Sequence, residues 1–574
     1  MDINKRTILW VVFSVSLFVL WNDWMVSAGH SSFFSPGKPA KVASAPATVN
    51  GAAAGTPAVV IPGGTAAAPG PNGEVVPFKR EIVTITTDVI KADIDTVGGV
   101  VRRLELLKFQ RTGHPGWLGG CFGLFKACKA DIDSSKNEVL FDEIDSRAYL
   151  AQTGLVGAPG LPNHTSGFVA RPGARSIDGS NDVQLVLESE QGGVKLTKTY
   201  TFHRGSYVID VRHDVTNVGP APVAPSVYLQ LYHDGNPAPD SSYFNNSFIG
   251  PTLYTPEEKY KKLDFATIEK KGHAEHPVKA EGGWVAISQQ FFVSAFIPQE
   301  KTAREIYTRK ENAANRYSIG TVTPLGTLAP GATVSNVARL YSGPQDEQVL
   351  EKVSPGLDLV KDYGILTIIA KPIFWVMDQI HNVLGNWGWT IIVFTILVKL
   401  LFFPLSAAGF RSMAKTKMIT PKMQAIRERY KGDPAKMNQA TMELYKTEKI
   451  NPIGGCLPLL VQMPVFIALY WVLQATLEFR GAPWIGWIHD LSQHDPWLVL
   501  PILYAISMFI TTKLNPAPPD PMQAKMMMFM PIAFSVIFFF SPSGLVLYMV
   551  VNSILSVAQQ WVITKRYAEK PTAK

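Results

Sequence analysis

The spacing of apolar residues along the chain separates two kinds of structure. Between residues 76 and 342, apolar and polar residues alternate, as in 182–187 and 194–200, and β-branched and aromatic residues are frequent. Strands that bury one face have this period of two. Gln191-Gly192-Gly193 and His203-Arg204-Gly205 have the composition of hairpin turns between such strands. The pattern predicts a large antiparallel β-sandwich (a supersandwich) with hardly any helix.

Beyond about residue 360, long apolar runs replace the alternation. Five of them are candidates for transmembrane helices: 387–405, 457–477, 497–512, 526–540 and 545–563. The third and fourth runs have only 16 and 15 residues, or about 23 Å as helices against about 30 Å of hydrocarbon. Such short spans favour local thinning of the bilayer, unless the helices continue into flanking polar residues.

A sixth apolar run, residues 8–20, follows Lys5 and Arg6 and ends beside Trp21 and Trp24. The paired tryptophans favour an uncleaved anchor, because indole rings prefer the headgroup level of the membrane. The triplet 26–28, Val-Ser-Ala, instead resembles a signal-peptidase site, and the residues leave both interpretations open. The predicted fold class is a polytopic α-helical membrane protein with six transmembrane helices and a large periplasmic β-sandwich.

The changes of pattern divide the chain into six parts. One of these parts, residues 346–386, connects the β-sandwich to the apolar runs. It contains an amphipathic helix that we expect in the membrane interface, because charged residues interrupt its apolar face. The predicted parts are an N-terminal anchor (1–26), a flexible Ala/Pro/Gly-rich tether (27–75), the β-sandwich (76–345), the connector and interfacial helix (346–386), a five-helix core (387–566) that includes a cytoplasmic helical hairpin (409–450), and a short cytoplasmic tail (567–574).

The distribution of charge predicts the orientation. Residues 406–452 contain ten Lys or Arg and four acids, whereas residues 478–496 contain one Arg and three acids. Because basic loops stay in the cytoplasm, both termini are expected there, and the sandwich is expected in the periplasm of a bacterial inner membrane. Much of the net charge of +8 lies in the basic loop, so DNA is not an expected partner.

The motifs of common enzymes are missing from the sequence. It contains no glycine-rich phosphate loop, no His-Glu-x-x-His and no Gly-x-Ser-x-Gly, and His273-Ala274-Glu275-His276 has no third ligand nearby in sequence. None of the five C-terminal apolar runs has an Asp or Glu in its interior, which weakens a proton-coupled transporter built on carboxylates. We therefore expect no enzyme, no cofactor and no metal.

Lys399 lies in the middle of the run 387–405. A cation at this depth costs a few kcal/mol if it faces lipid, so it is expected to face protein or water, although its long side chain also allows it to snorkel toward the headgroups. Each polar residue in the other runs is, by itself, more typical of an ordinary contact between helices, but together with Lys399 these residues indicate a hydrated groove. The candidate groove residues are Lys399, Thr395, Gln462, Tyr548, Asn552 and Gln559.

The basic loop has the pattern of two amphipathic helices separated by Gly432-Asp433-Pro434. Its cations form either a docking surface for anionic lipid, a ribosome or an acidic partner, or a solvated face that only reflects the cytoplasmic location. The candidate docking residues are Arg411, Lys415, Lys417, Lys422, Arg427, Arg429 and Lys431.

Four sequence stretches, 283–290, 451–464, 520–525 and 542–548, closely resemble stretches of YidC-type insertases of the YidC/Oxa/Alb family. The resemblance implies an uncleaved first span and a five-helix core whose hydrophilic groove is open to the cytoplasm and closed on the outside. It implies insertion and folding of nascent membrane proteins, alone or with the Sec translocon, with the ribosome or the signal recognition machinery as a further partner.

Two positions depart from the family pattern. Lys399 stands where the family usually has arginine, so a bidentate grip on a carboxylate is lost. Met549 stands where a second tyrosine often follows the one matching Tyr548. Two other functions are compatible with the residues: a small-solute channel or transporter, and a membrane-anchored periplasmic carbohydrate-binding protein.

Overall fold

The computed structural model describes most of the chain after the predicted tether. All described residues belong to one compact unit. The predicted anchor, the tether and Lys431 lie outside the described residues, as does most of the run 526–540. The described ranges are 80–111, 136–144, 147–236, 248–299, 301–311, 315–430, 432–448, 457–515 and 535–568.

The first half of the described chain is a β-sandwich, as predicted. The strands are β1 (Ile82–Thr86), β2 (Ile90–Asp95), β3 (Val100–Gln110), β4 (Asn137–Val139), β5 (Asp142–Ile144), β6 (Arg147–Val156), β7 (Val169–Ala170), β8 (Asp182–Gln191), β9 (Val194–His203), β10 (Val208–Asn217), β11 (Ser226–Asp234), β12 (Gly250–Thr255), β13 (Lys259–Lys262), β14 (Lys279–Ala280), β15 (Trp284–Ser288), β16 (Phe292–Pro298), β17 (Arg304–Lys310), β18 (Arg316–Pro324) and β19 (Thr333–Pro344).

Two antiparallel sheets enclose the core of the sandwich. One has the order β1-β2-β3-β6-β11-β18-β17-β14, with β4 beside β3 and β5 beside β6. The other has the order β13-β12-β15-β16-β19-β10-β9-β8-β7. Alternate residues of β9 are buried from Val194 onward, which is the period of two read from the sequence. Gly192 and Gly193, with φ of 59° and 74°, form the predicted turn between β8 and β9.

Lys198 lies fully buried between the sheets. Its Nζ donates hydrogen bonds to the carbonyl oxygens of Gly98 at 2.6 Å and Thr153 at 2.7 Å. The ammonium group is 4.6 Å from the centroid of the Phe168 ring. The neighbouring strand places His213 directly opposite Lys198. Burial lowers the pKa of Lys198 to about 7 and the pKa of His213 to about 3.

We expect the stability of the sandwich to rise with pH because of Lys198. The unfolded chain keeps this proton up to a pKa of about 10.4, whereas the folded chain loses it above a pKa of about 7. Between those values the unfolded state binds more protons, so rising pH favours folding by up to about 1.4 kcal/mol per pH unit. Thermal unfolding of the full chain, recorded across this window, measures the slope.

Lys198→Met should flatten that pH dependence. Lys195→Met is the matched control, because Lys195 lies on the same strand with a side chain that is 37% exposed and paired with Glu188. Equal slopes for the wild type and both variants would show that Lys198 keeps its proton when folded.

The second half of the described chain is helical. Its α-helices, with one from the sandwich that the sequence did not predict (α1), are α1 (Phe265–Lys271), α2 (Glu347–Val353), α3 (Thr367–Leu384), α4 (Trp387–Leu401), α5 (Phe403–Arg429), α6 (Pro434–Thr447), α7 (Leu457–Ala475), α8 (Val499–Leu514) and α9 (Ser543–Ala568). Short 3₁₀ helices cover Leu357–Val360, Gly364–Leu366, Leu477–Phe479 and Val536–Phe540.

The first predicted core span ends earlier than expected. The apolar run continues to residue 405, but α4 stops at Leu401 and the chain turns by 68° into α5. Pro404, in the first turn of α5, explains the break. Proline has no N–H, and its ring clashes with the carbonyl four residues earlier, here that of Leu400, so it kinks or breaks a helix at this point.

Length and composition support fewer spans than the six predicted. Among the described residues, Ser543–Lys565 is long and apolar enough to cross a bilayer, and the bent pair of α4 and α5 is a second candidate if it forms one span. Two further apolar helices, Gln462–Ala475 and Val499–Leu514, are shorter. The structure therefore supports a β-rich domain followed by a helical part and leaves six spans unconfirmed.

Charged contacts join the helical part to the sandwich. The Nη2 of Arg480, in the loop after α7, donates to Glu138 Oε2 at 2.7 Å and to the carbonyl oxygen of Gln110 at 3.0 Å. Lys361, in the connector, lies with its Nζ 3.6 Å from Glu478 Oε1. The Arg480 and Lys361 side chains are almost completely buried, so these pairs hold the loop after α7 against the sandwich side of the molecule.

Candidate substrate groove

The loop from Thr476 to Leu498 closes one end of the helical part. The carbonyl oxygens of Leu491 and Gln493 accept the backbone N–H groups of Gly544 and Ser543, at the start of α9. Asn386, the N-cap of α4, donates through Nδ2 to the carbonyl oxygen of Pro483 at 3.0 Å. The loop is thereby fastened to the first residues of two helices.

Asp495 organises this loop from inside. Its side chain is buried, and its carboxylate accepts from Trp487 Nε1 at 2.9 Å and from the backbone N–H groups of Trp497 at 3.0 Å and Leu500 at 2.7 Å. Trp487 and Trp497 stack with ring centroids 5.6 Å apart. One carboxylate therefore ties two tryptophans to the start of α8.

Apolar packing seals the bundle next to this loop. The buried residues come from α4, α8 and α9, from the second half of α7 and from the loop itself. They include Trp387, Ile391, Phe394, Leu469, Val472, Leu473, Leu491, Leu500, Tyr504, Leu545, Val546, Leu547 and Tyr548. Toward the other end of α4, by contrast, Leu397, Leu400 and Leu401 are exposed. Among the described residues, the buried apolar packing is therefore concentrated at the loop end, whereas the other end of α4 exposes apolar side chains.

Lys399 lies in the half of α4 away from this loop. Its Nζ donates to Ser556 Oγ on α9 at 2.7 Å. Ser556 Oγ donates in turn to the carbonyl oxygen of Asn552 at 2.7 Å. In the part of the chain that the structure describes, no carboxylate pairs with Lys399. Within the described ranges, the site is thus a partly exposed cation held by a hydroxyl, with no acidic side chain paired to it.

The structure arranges the other candidate groove residues unevenly. Tyr548, Asn552 and Gln559 lie with Ser556 on one stripe of α9, at helical spacings of three and four. The Nε2 of Gln462 on α7 donates to the buried Tyr548 hydroxyl. The Nε2 of Gln559 is buried and has no hydrogen-bond partner among the residues that the structure describes. A buried amide that lacks a partner costs free energy, which favours water or a substrate group beside it.

Thr395 was expected to line the groove beside Lys399, but its side chain is buried within the bundle. Its side chain is 1% exposed and its hydroxyl donates to the carbonyl oxygen of Ile391 at 2.6 Å, within the same helix. The partner of Lys399 is instead Ser556, which the sequence reasoning missed. Its spacing of four from Asn552 was the available signal, because residues four apart share a helix face.

The basic loop forms two helices, α5 and α6, in which the apolar positions face each other. Tyr445 OH lies 3.6 Å from Met423 Sδ, and Lys422 Nζ lies 2.5 Å from Glu448 Oε1. The apolar residues of the predicted interface are half-buried, as amphipathic packing requires. Among the candidate docking residues within the described range, Arg427 is half-buried and the exposed ones are Arg411, Lys415, Lys417, Lys422 and Arg429.

This combination of parts defines the class of protein. A large β-sandwich precedes apolar helices that are sealed at one end and hold a cation with polar side chains at the other, which is the arrangement of an inner-membrane protein with a periplasmic domain. Residues 125–376 match the family described as YidC periplasmic domain, and residues 379–570 match the family described as 60Kd inner membrane protein.

Relatives cover the whole chain. Membrane protein insertase YidC of Herminiimonas arsenicoxydans is 56% identical over 585 residues and that of Janthinobacterium sp. (strain Marseille) is 55% identical over 583, with 99% of each chain covered in both cases. A solved structure described as an active YidC insertase with the first transmembrane domain resolved is 18% identical, covering 84% of this chain and 93% of that chain, with a TM-score of 0.37.

The chain belongs to the YidC family of membrane protein insertases. The resemblance seen in the sequence is thereby confirmed. The family consists of insertases and not of enzymes, and insertion is its function, so the channel and carbohydrate-binding alternatives are not kept.

Proposed function

We propose that the chain integrates and folds nascent inner-membrane proteins through a hydrophilic groove that is open to the cytoplasm and the lipid. In this proposal Lys399, Gln462, Tyr548, Asn552 and Gln559 line the groove. The observation that carries it is the position of Lys399, which among the described residues bonds only to a serine hydroxyl and lies in the half of α4 away from the buried apolar packing.

The uncompensated charge supplies the attraction for a substrate. A cation without a counter-ion in a partly desolvated site interacts more strongly with a carboxylate than it would in water. Hydrophilic, often acidic, segments are therefore drawn into the groove. The membrane potential assists the transfer of an acidic residue by about 2.3 kcal/mol per charge per 100 mV.

The apolar segment of the substrate leaves sideways. Leu397, Leu400 and Leu401 are exposed on α4 near Lys399, so an apolar segment beside the groove meets apolar surface and then lipid. In the proposal, short spans such as α8 thin the bilayer and lower the barrier for the polar segment. Because binding and release need no chemical step, ATP hydrolysis by this chain is not part of the proposal.

The proposed topology has six spans with both termini in the cytoplasm and residues 76–345 in the periplasm. Support comes from the charge difference between the loops 406–452 and 478–496. The sealed loop end of the bundle then faces the periplasm and the open end faces the cytoplasm. The domain boundaries given above are part of this proposal, including the anchor at 1–26 and the tail at 567–574.

The exposed cations of α5 and α6 support a docking function. In the proposal they bind the ribosome, the signal recognition machinery or anionic lipid, and the Sec translocon is a partner for substrates with large translocated regions. Exposed lysines and arginines on a helical hairpin favour anionic partners through long-range electrostatic attraction.

Photocrosslinking from α9 tests the groove. A photoreactive amino acid replaces Asn552 or Gln559, and a stalled nascent membrane protein is presented to the full chain in membranes. We expect crosslinks from both positions. Ile554 is the matched control, because it is 54% exposed on the opposite face of the same helix.

The outcome distinguishes a groove from general membrane contact. Crosslinks from Ile554 as strong as those from Asn552 would mean that the nascent chain meets α9 only from the lipid side. Saturable uptake of a small solute into liposomes, without any crosslink, would instead support a transporter.

A further inference from the structure

A pocket of about 470 Å³ lies where three segments of the chain meet. They are β13 at the edge of one sheet, the connector that follows the 3₁₀ helix Leu357–Val360, and the first turn of α3. Two tyrosines, Tyr260 and Tyr363, form part of the wall. Its charged lining consists of Lys261, Lys262, Lys361, Lys371 and Asp362. Four cations and one acid therefore face the same space.

Acids behind the wall hold these lysines in place. Lys371 Nζ lies 2.6 Å from Glu347 Oε1, and Lys261 Nζ lies 3.2 Å from Glu258 Oε2, but neither glutamate lines the pocket. Lys262 pairs with Asp362, the acid that does line it. The pairs keep long side chains ordered around the opening, so less side-chain entropy is lost when an anion binds.

Three of the four lysines are accessible to a ligand. The side chains of Lys261, Lys262 and Lys371 are 38%, 34% and 39% exposed. Lys361 is buried and its ammonium group lies 4.5 Å from the centroid of the Phe374 ring, so it belongs to the packing beneath the pocket. An ammonium group is a compact triple donor, which suits the oxygens of a phosphate.

The helix that forms one wall has an exposed apolar face. Ile368, Trp375 and Val383 recur at spacings of seven and eight along α3, which puts them on one side, and they are 89%, 65% and 84% exposed. The opposite face of α3 buries Ala370, Ile373 and Met377 in the helical part. An apolar stripe exposed on the other side of a docked helix is typical of contact with the membrane interface. Thr367 and Lys371, which line the pocket, lie beside this apolar stripe. The pocket therefore opens at the depth of the lipid headgroups.

We propose that this pocket binds the phosphate of an anionic phospholipid, with Lys261, Lys262 and Lys371 donating to its oxygens. The acyl chains of that lipid lie along Ile368 and Trp375. Such a lipid fastens the edge of the sandwich to the membrane surface at the start of α3. The topology given under Proposed function places this lipid in the outer leaflet. The binding of the headgroup itself does not depend on that topology.

The apolar stripe favours a lipid over a soluble phosphate. A free anion would use the lysines but leave Ile368 and Trp375 exposed to water, whereas a phospholipid contacts both surfaces together. Charge-assisted hydrogen bonds to phosphate supply the selectivity for an anionic headgroup over a zwitterionic one.

Headgroup photolabelling tests the site. The full-length protein is reconstituted in phosphatidylcholine nanodiscs with a minor fraction of phosphatidylglycerol that carries a photoreactive headgroup, and labelled peptides are mapped by mass spectrometry. We expect label on the peptides that contain Lys261 and Lys371. The triple variant Lys261→Gln, Lys262→Gln, Lys371→Gln should reduce this label about tenfold or more, because each lysine near an anionic lipid contributes a factor of about five.

The matched control removes three exposed lysines from other parts of the sandwich: Lys91→Gln, Lys279→Gln and Lys301→Gln. It should leave the labelling unchanged, and circular dichroism checks that both triple variants are folded. Three results would overturn the proposal: undiminished label in the pocket variant, equal labelling by a phosphatidylcholine probe, or loss of label on addition of inorganic phosphate, which would indicate a soluble anion. Nascent-chain crosslinking to Asn552 is measured in parallel, so failure of the lipid site is separated from failure of the groove.

Discussion

Lys399→Ala should slow the insertion of substrates whose translocated segment is acidic by about tenfold to a hundredfold, while Lys399→Arg should preserve it. The alanine removes the cation of the candidate groove and leaves Ser556 Oγ without its donor. A hydrogen bond or ion pair to a charged group contributes about 1.5–3 kcal/mol. If this stabilisation is lost in the transition state for transfer of the acidic segment, insertion slows about tenfold to a hundredfold. Protease protection of radiolabelled substrates in depleted cells measures the rate.

Two comparisons separate charge from packing. Thr395→Val is the matched control, because the Thr395 hydroxyl bonds only within its own helix. It should insert the same substrates at nearly the normal rate. A substrate without charges in its translocated segment should be affected little by Lys399→Ala. Normal insertion of acidic substrates by the alanine variant would show that the cation does not attract them.

The lysine itself makes a further comparison informative. Arginine offers five donors in a planar fork and grips a carboxylate with two hydrogen bonds, whereas lysine acts as a compact charge. If capture of the acidic segment limits the rate, Lys399→Arg should insert acidic substrates at least as fast as the wild type. The same assay with a substrate that has one acid and one that has several shows how the benefit scales.

Asp495→Ala should destabilise the helical part by about 3 kcal/mol, because it leaves three buried or partly buried donors without their acceptor. The donors are Trp487 Nε1 and the backbone N–H groups of Trp497 and Leu500. We expect the loop to detach from the start of α8, the stacked tryptophans to separate, and the midpoint of thermal unfolding to fall. Tryptophan fluorescence of the purified full chain follows both changes.

Asp495→Asn tests whether the charge or the geometry of this side chain is needed. The amide keeps one acceptor oxygen but turns a donor toward one of the three N–H groups. The unfolding midpoint of Asp495→Asn should therefore lie between those of the wild type and Asp495→Ala. Ser492→Ala is the matched control, since the Ser492 hydroxyl bonds only to Asp490, two residues away. A wild-type unfolding midpoint for Asp495→Ala would mean that the loop is held by apolar packing alone.

Periodicity and composition were sufficient for the large divisions of the molecule. The alternation at 182–187 and 194–200 corresponds to β8 and β9, and the glycines between them form the turn. The apolar runs after residue 360 correspond to α4, α7, α8 and α9. These features are encoded locally, because a residue's spacing from its sequence neighbours determines which face of a strand or helix it occupies.

Contacts between distant segments could not be predicted in this way. The sequence pointed to Lys399 but placed Thr395 beside it, whereas the structure pairs it with Ser556, 157 residues away. The bend after Leu401 was missed because the apolar run hides the effect of Pro404. Both outcomes depend on how helices pack and not on the composition of either helix.

The partners of buried charges, and of charges where two parts of the molecule meet, could not be predicted from local patterns either. The alternation of β9 puts Lys198 at a position where the strand is buried, and only the packed sheets reveal the carbonyl oxygens of Gly98 and Thr153 that accept its hydrogen bonds. The lysine pocket beside α3 likewise combines β13 with a connector about 100 residues later, as the pairing of Lys262 with Asp362 shows. The sequence by itself determined the order, type and charge of the elements. The tertiary structure decided which side chains meet, because the position of a partner depends on the relative placement of elements that no local pattern records.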